Sequence, residues 1–224
     1  MKYVNQLNYP EIPYTMGVNF DYDMYLKHKD FLENSPMSKA FLSQYTFEPG
    51  MKPVITEGNM AAAGCGLCCA IMAADRLFTD VDYDLYDARE VSYASGGNGF
   101  VGTDYEAFAP AWAEKIGAKL LVTNEMADVD KCLATGGVVV ALSTGDRDGY
   151  VGVFTHGAHY ITLIAKGEDG MYTILDPSLK PGKYDEPGRE GKVRVDGNII
   201  YASGQTIDED CQLWLPRFFC FWKK

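Results

Sequence analysis

The stretch Ala63-Gly64-Cys65-Gly66-Leu67-Cys68-Cys69-Ala70-Ile71-Met72-Ala73-Ala74 contains the longest uninterrupted apolar run of the chain, Leu67–Ala74. Apolar side chains recur there at helical spacing, at Leu67, Cys68, Ile71, Ala74 and Phe78. This periodicity predicts a buried helix over residues 64–78. The run is far too short to span a membrane, so the helix belongs to the core of a folded domain.

A cysteine stands at the start of this predicted helix. Backbone N–H groups at a helix N-terminus are unpaired and lie at the positive end of the helix dipole, which favours a thiolate at Cys65. Since the thiolate is the nucleophilic form of cysteine, Cys65 is a candidate catalytic residue. Gly64 and Gly66 would let a substrate carbonyl approach the backbone closely. The alternative interpretation is a small buried hydrophobic residue, as we expect for the other five cysteines in a reducing compartment.

A cysteine nucleophile needs a base, and the chain has three histidines. His28 lies in a predicted helix over residues 22–32, among charged neighbours, and we expect it to be solvated. His156 and His159 precede an apolar predicted strand, and Asp176 follows the next strand 17 residues after His159. A strand, hairpin and strand of that length bring Asp176 back beside His159, so Cys65, His159 and Asp176 fit a Cys-His-Asp hydrolase.

The second half of the chain is typical of a β-sheet. Short runs rich in β-branched and aromatic residues predict strands at 119–123, 137–142, 159–165, 171–175, 192–195, 199–201 and 212–221. Further helices are predicted at 104–116, capped by Thr103 or Asp104, and at 126–134. Helices that precede an antiparallel sheet indicate an α+β fold with separate layers.

Length and charge limit the class of protein and its partners. A chain of 224 residues can bury a core without a disulfide or a metal. The net charge of −11 disfavours nucleic acids and anionic membranes as partners, because it repels phosphates. The start of the chain lacks the apolar core of a signal peptide, so we expect a cytoplasmic protein by default. Removal of a leader before residue 1 would instead allow secretion.

Four stretches of the chain resemble the bacterial C39-like peptidases, a branch of the papain-like cysteine proteases. These are residues 3–10, the Gly64-Cys65-Gly66 segment, Gly102-Thr103 with the helix that follows, and residues 154–177. The resemblance implies an α+β papain-like cysteine protease fold, with a helical half packed on an antiparallel sheet. It implies a thiol protease that hydrolyses a peptide or amide bond of a peptide or protein substrate without a cofactor. It also implies that Cys65, His159, Asp176 and Gln6 form the site, with Gln6 donating to the oxyanion.

The chain departs from that pattern in its N-terminal half. Gln6 and Cys65 are 59 positions apart, far more than is common in such peptidases. We therefore expect a single domain over residues 1–224 that carries an inserted helical element at residues 18–57. Asn59 lies six residues before Cys65, the spacing that papain-like enzymes often use for their oxyanion glutamine, so Asn59 competes with Gln6 for that role.

Other functions use some of the same residues. An acyltransferase would share the acyl-enzyme, and a catalytically silent domain would keep the cleft and bind peptide. Cys65 and Cys68 have the spacing of a redox pair, and with His156 and His159 they could bind zinc. Gly97, Gly99 and Gly102 match a dinucleotide fingerprint but lack its βαβ context, so a substrate-side loop is the better interpretation.

Overall fold

The computed structural model describes residues 2–100 and 102–224, and its helices and its main sheet form separate layers. The helices are α1 (Tyr22–Lys27), α2 (Lys29–Asn34), α3 (Pro36–Leu42), α4 (Met60–Ala63), α5 (Cys65–Leu77), α6 (Leu85–Ser95), α7 (Tyr105–Ile116), α8 (Met126–Ala134) and α9 (Gly204–Asp210), and a 3₁₀ turn covers Gln6–Asn8. The strands are β1 (Pro13–Met16), β2 (Thr56–Asn59), β3 (Ala118–Thr123), β4 (Val138–Ser143), β5 (His159–Lys166), β6 (Tyr172–Leu175), β7 (Val193–Asp196), β8 (Ile199–Ala202) and β9 (Phe218–Lys223).

The main sheet has the strand order β3-β9-β4-β5-β6-β8-β7, and each neighbouring pair is antiparallel. Both of its faces are covered, which explains why every residue of β4 is buried. Val138, Val140 and Leu142 face the core that contains α5 and α7, whereas Val139 and Ala141 face the core beneath α8. Because alternate side chains of a strand point to opposite faces, β4 reads as a continuous apolar run. The α+β layering expected from the sequence is therefore confirmed.

Most predicted elements lie where the sequence placed them. Helices α5, α7 and α8 match their predicted spans within one residue, and Asp104, not Thr103, caps α7 by accepting from the N–H of Glu106 at 2.9 Å. The predicted strand at 212–221 is wrong in its first half, because β9 begins only at Phe218. Pro216 lacks the N–H that a ladder needs, and the apolar pattern before it belongs to a loop.

The predicted helix at 22–32 is two helices. It is interrupted at His28, which ends α1 and precedes α2 with a non-helical backbone of φ −115° and ψ 21°. Ser35 is extended before Pro36, as the restriction on residues before proline requires, and α3 then follows. Elements β1, β2, α4, α6 and α9 were not predicted, and α3 was predicted only as part of the helical element at residues 18–57.

Residues 18–57 leave and rejoin the domain through a short β-ladder. Strands β1 and β2 pair antiparallel, with Pro13 opposite Asn59 and Met16 opposite Thr56. Between them, α1 to α3 build a separate apolar cluster around Phe20, Phe31 and Leu32. Phe100 belongs to this cluster and Trp214 packs against it, so the segment is anchored on the rest of the domain.

His28 is one of these anchors, and the expectation that it is solvated was wrong. The residue is 9% exposed, and its ring stacks on the indole of Trp214, with ring centroids 3.7 Å apart. Burial, together with the charge of Lys27, lowers the pKa of His28 to about 4. Glu106 is the nearest carboxylate, 4.0 Å from Nε2, and does not offset the burial.

We predict that His28 makes the fold acid-sensitive. Between pH 6.5 and about 4 the unfolded chain binds a proton at this ring and the folded chain does not, so stability falls as the pH is lowered through that range. The variant His28→Phe keeps a stacked ring without the proton site. Urea midpoints at about pH 7 and about pH 4.5 should therefore differ less in His28→Phe than in the unmodified protein. The exposed-histidine control His156→Gln should behave like the unmodified protein, and an equal loss in all three would contradict the prediction.

Candidate active site

Cys65 is the first residue of α5 and is half-buried at the base of a cleft. Helix α4 ends just before it, and Gly64 links the two helices. At this position the first N–H groups of α5 point away from the helix without intrahelical acceptors. The other five cysteines are buried, as expected, and all six are free thiols.

The glycines beside Cys65 serve packing within the chain. A Cβ on Gly66 would lie 2.7 Å from the side chain of Thr103, and one on Gly64 would lie 2.5 Å from the carbonyl oxygen of Met60. Tyr105 donates to the carbonyl oxygen of Gly66 at 2.6 Å and fixes the first turn of α5. The sequence suggested that these glycines make room for substrate, but their own neighbours already fill that space.

His159 begins β5 and is 6% exposed. Its Nε2 atom lies 2.7 Å from Oδ1 of Asp176, and its ring interacts with the thiol of Cys65, since each of these two groups shifts the pKa of the other. Because Asp176 takes Nε2, Nδ1 is the nitrogen that remains for the thiol. The helical layer thus supplies the thiol, and the sheet supplies the ring and the carboxylate.

Asp176 follows β6 and is fully buried. Oδ1 accepts from His159 and from the N–H of Ser178 at 2.8 Å, while Oδ2 accepts from Lys183 at 2.5 Å and from Tyr184 at 2.7 Å. Lys183 is itself buried and also donates to the hydroxyl of Ser178 at 2.7 Å. Sequence reasoning missed these partners, because nothing in the polar stretch 178–185 marks Lys183 as a buried cation.

The N-terminal segment fastens the loop that carries Asp176. Tyr3 donates its hydroxyl to the carbonyl oxygen of Asp176 at 2.7 Å, and Asn5 donates to that of Leu179 at 2.7 Å. The backbone N–H of Gln6 donates to the carbonyl oxygen of Pro177 at 2.7 Å. The two matching stretches of the sequence, residues 3–10 and 154–177, are therefore in direct contact.

Gln6 and Asn59, the two candidates for the oxyanion donor, differ in their surroundings. Gln6 is buried, lines the same cavity as Cys65 and His159, and donates from Nε2 to the carbonyl oxygen of Ala61 at 2.7 Å. Asn59 caps α4, where its side-chain oxygen accepts from the N–H of Ala62 at 3.0 Å. The geometry favours Gln6, whose role in catalysis stays a prediction.

The electrostatics of the site favour an ion pair between Cys65 and His159. Burial opposes the charged forms of both, but in each case the other interactions outweigh it. The hydrogen bond and charge of His159, with backbone N–H groups of Tyr160 and Gly66, lower the pKa of Cys65. Burial and Lys183 lower the pKa of His159, yet Asp176 and the Cys65 hydrogen bond raise it overall. Burial also raises the pKa of Asp176, but His159 and Lys183 outweigh it and hold that pKa well below its usual range.

The other candidate chemistries find less support in the geometry. His156, which a zinc site would need, is directed to Asp146 and Glu186, with 2.9 Å from each ring nitrogen to a carboxylate oxygen. Within residues 2–100 and 102–224, no cluster of three or more His, Cys, Asp or Glu side chains is arranged to hold a metal ion. Cys68 is buried in the core, and burial raises its pKa well above the usual value, which disfavours a redox role.

The cleft continues on both sides of Cys65. One arm, of about 420 Å³, is lined by Gln6, Phe31, Ser178 and other residues. The other, narrow arm has a volume of about 70 Å³ and is lined by Gly102 of the predicted glycine-rich loop together with Trp214. Cys65, Phe100 and His159 line both arms, so the two arms meet at the thiol. Val101 of the same loop lies outside the described residues.

Comparisons with known proteins bear on the fold. No protein-family model matches the sequence, and a search of curated proteins gives no match. A Bacillus anthracis protein described as a candidate C39-like peptidase superposes with a TM-score of 0.50 and 12% identity, over 72% of this chain and 89% of that one. The peptidase domain of Streptococcus ComA, a bifunctional ABC transporter of a quorum sensing pathway, gives a TM-score of 0.44 and 14% identity, over 71% of this chain and 91% of that one.

The resemblance seen in the sequence is thus confirmed as a likeness of fold. The chain has the helix-and-sheet architecture of the C39-like, papain-like peptidase that it superposes on. At this identity the likeness does not extend to the chemistry of individual residues. None of the helices in the described parts of the chain has both the length and the apolar character required to cross a lipid bilayer.

We predict that Lys183 limits the basicity of His159. Its ammonium group lies against the carboxylate that holds the ring, and its charge disfavours a second cation on His159. The variant Lys183→Met should therefore raise the pH at which His159 titrates. Three histidines give a simple ¹³C-edited NMR titration, in which His159 is assigned by His159→Gln. The exposed-lysine control Lys180→Met should leave the midpoint in place, and an unchanged or lower midpoint in Lys183→Met would refute this role.

Proposed function

We propose that this chain is a cysteine peptidase that hydrolyses a peptide or related amide bond through an acyl-enzyme. One observation carries the proposal, namely that Cys65 and His159 line one cavity at the base of the cleft while the buried carboxylate of Asp176 is hydrogen-bonded to the ring of His159. A thiol at a helix start, a ring beside it and a buried carboxylate that orients the ring are the parts that covalent acyl transfer needs.

In the first half of the reaction, the Cys65 thiolate attacks the substrate carbonyl carbon. The new S–C bond displaces the π electrons of the carbonyl onto its oxygen, and a tetrahedral oxyanion forms. His159, protonated in the ion pair, donates its proton to the amide nitrogen as the C–N bond breaks and the amine leaves. Asp176 keeps the ring aligned throughout and stabilises the imidazolium.

In the second half, water completes the hydrolysis. His159 accepts a proton from the water as its oxygen attacks the thioester carbon, and a second oxyanion forms. When that intermediate collapses, the S–C bond breaks and Cys65 returns as a thiolate beside protonated His159. The product leaves as a carboxylic acid that loses its proton to water, so the site needs no cofactor or external oxidant.

Two groups are available to stabilise the oxyanion. One is the backbone N–H of Cys65 at the start of α5, and the other is the side-chain amide of Gln6, which lies in the same cavity. The hydrogen bond from Gln6 to Ala61 and the contact of its backbone with Pro177 hold this amide in place before substrate binds. A preorganised donor of this kind does not have to reorient during the reaction.

The decisive test compares the two neighbouring histidines in a digest of mixed peptides, with new termini read by mass spectrometry. Cys65→Ser should abolish cleavage, and His159→Ala should lower it by about 10³-fold or more, because the nucleophile loses its base. His156→Ala should cost less than about tenfold, since that ring only joins two surface carboxylates. Equal losses in the two histidine variants would point to joint metal binding. An amine added to the same reaction separates transfer from hydrolysis, because only a transferase forms the new amide efficiently.

A second test separates the candidate oxyanion donors. Gln6→Ala should lower kcat by about 10²- to 10³-fold with little change in KM, because the donor acts on the intermediate. Asn59→Ala should instead destabilise the fold by about 1 kcal/mol through the lost cap of α4 and leave kcat near normal. The reverse outcome, a normal Gln6→Ala beside an inactive Asn59→Ala, would transfer the role to Asn59.

A further inference from the structure

The narrow arm of the cleft is a built pocket beside the reacting atoms. Its cavity has a volume of about 70 Å³, and Cys65 and His159 are among the residues that line it. Met24, Phe100, Leu142 and Trp214 give it apolar walls. A substrate bound at the thiol would therefore have an apolar recess next to its scissile bond.

Residues 18–57 supply one wall of this pocket. Asn19, Met24 and His28 all line it, and they come from the segment that enters and leaves through the β1–β2 ladder. Opposite them, Trp214 stacks on His28 at 3.7 Å and meets Phe31 edge-on at 5.0 Å. The position of the Trp214 indole, and with it the width of the pocket, thus depends on the helices of this segment.

Apart from the reacting pair Cys65 and His159, Asp104 is the one ionised side chain among the described residues that line the pocket. Among its described lining residues none is a lysine or an arginine. His28 has its pKa lowered to about 4 by burial, so its ring is neutral near pH 7. Asp104 is already engaged, since its two oxygens accept from the N–H of Glu106 at 2.9 Å and from Asn19 at 2.6 Å. An anionic side chain placed here would lose its hydration and meet a like charge, and a cationic one could reach only a carboxylate that already accepts two hydrogen bonds.

We propose that this pocket selects substrates with an uncharged aliphatic side chain beside the scissile bond, and that Trp214 and His28 set its size limit. The proposal rests on the proposed peptidase function and adds to it the class of substrate. A dry cavity of about 150 Å³ is known to hold benzene, so the smaller space here suits a side chain of the size of valine or leucine better than a bicyclic ring.

The test measures alkylation of Cys65, which needs no peptide hydrolysis. Chloroacetamides with N-isobutyl, N-carboxyethyl, N-aminoethyl and N-naphthylmethyl substituents alkylate a thiolate with loss of chloride. Each rate, read by peptide mapping, is divided by the rate of the same reagent with N-acetylcysteine. The isobutyl reagent should exceed the two charged ones and the naphthylmethyl one by about tenfold or more. A preference for the aminoethyl reagent would assign the pocket to cationic side chains at Asp104 and overturn the proposal.

A matched pair of tryptophan variants tests the size limit. Trp214→Ala should remove the penalty on the naphthylmethyl reagent, whereas Trp222→Ala should retain it, because that half-buried indole instead hydrogen-bonds Thr135 on the far strand β9. Circular dichroism monitors folding, and Trp214→Leu replaces Trp214→Ala if the latter unfolds. If Cys65 is reactive but the four reagents show equal relative rates, the proposed selectivity of the pocket is wrong, whereas the peptidase proposal is unaffected. If Cys65 instead reacts with iodoacetamide no faster than a free thiol, the peptidase proposal itself fails.

Discussion

The carboxylate of Asp176 is the group on which the arrangement of the site depends. It is fully buried, and a buried charge is tolerated only when it is paired and hydrogen-bonded. Its donors come from β5, from the loop after β6 and from the buried Lys183, while the N-terminal segment holds its backbone through Tyr3. Removing one partner of such a pair typically costs about 3–5 kcal/mol, so the loops that meet at Asp176 are held together by its charge. The same contacts fix the ring of His159, which means that stability and orientation of the base have one physical source.

The thiol of Cys65 lies beside the ring of His159 because the helical layer and the sheet pack against each other in one fixed arrangement. Cys65 belongs to α5 and His159 to β5, and the two elements share a core of apolar side chains from α5, α7 and the facing side of the sheet. Tyr105 illustrates the connection, since it donates to Gly66 beside the thiol and stacks on Tyr160 beside the base, with centroids 4.4 Å apart. Interiors packed at crystal-like density transmit small shifts, so the spacing between thiol and ring is set by the whole core rather than by the two residues.

The sequence could predict those features that depend on residues close together in the chain, and it missed those that depend on residues far apart in it. Helix α5 and the central strands have strong local periodicity, and the order of Cys65, His159 and Asp176 could be interpreted because a hairpin of fixed length connects the last two. The family resemblance indicated Gln6 as the oxyanion donor, and its position in the same cavity as Cys65 and His159 favours that role. Lys183 and His28 were missed or misjudged because their burial comes from residues distant in sequence, and charged neighbours made both look solvated. The short strands β1 and β2 were missed for a similar reason, since each exists only through its pairing with the other.

The contacts that hold the reacting groups and the residues that shape the narrow pocket come from different parts of the chain. Cys65 and His159 are held by the shared core and by Asp176, and none of these contacts passes through residues 18–57. The narrow pocket, in contrast, has one wall from that segment and another from Trp214 in the loop before β9. Both walls can change in sequence or length at little cost to the core, because the β1–β2 ladder keeps the two ends of the segment adjacent and the penalty for a longer loop grows only logarithmically. A fold built in this way can alter which side chains it accepts while the thiol, the base and the buried carboxylate keep their geometry.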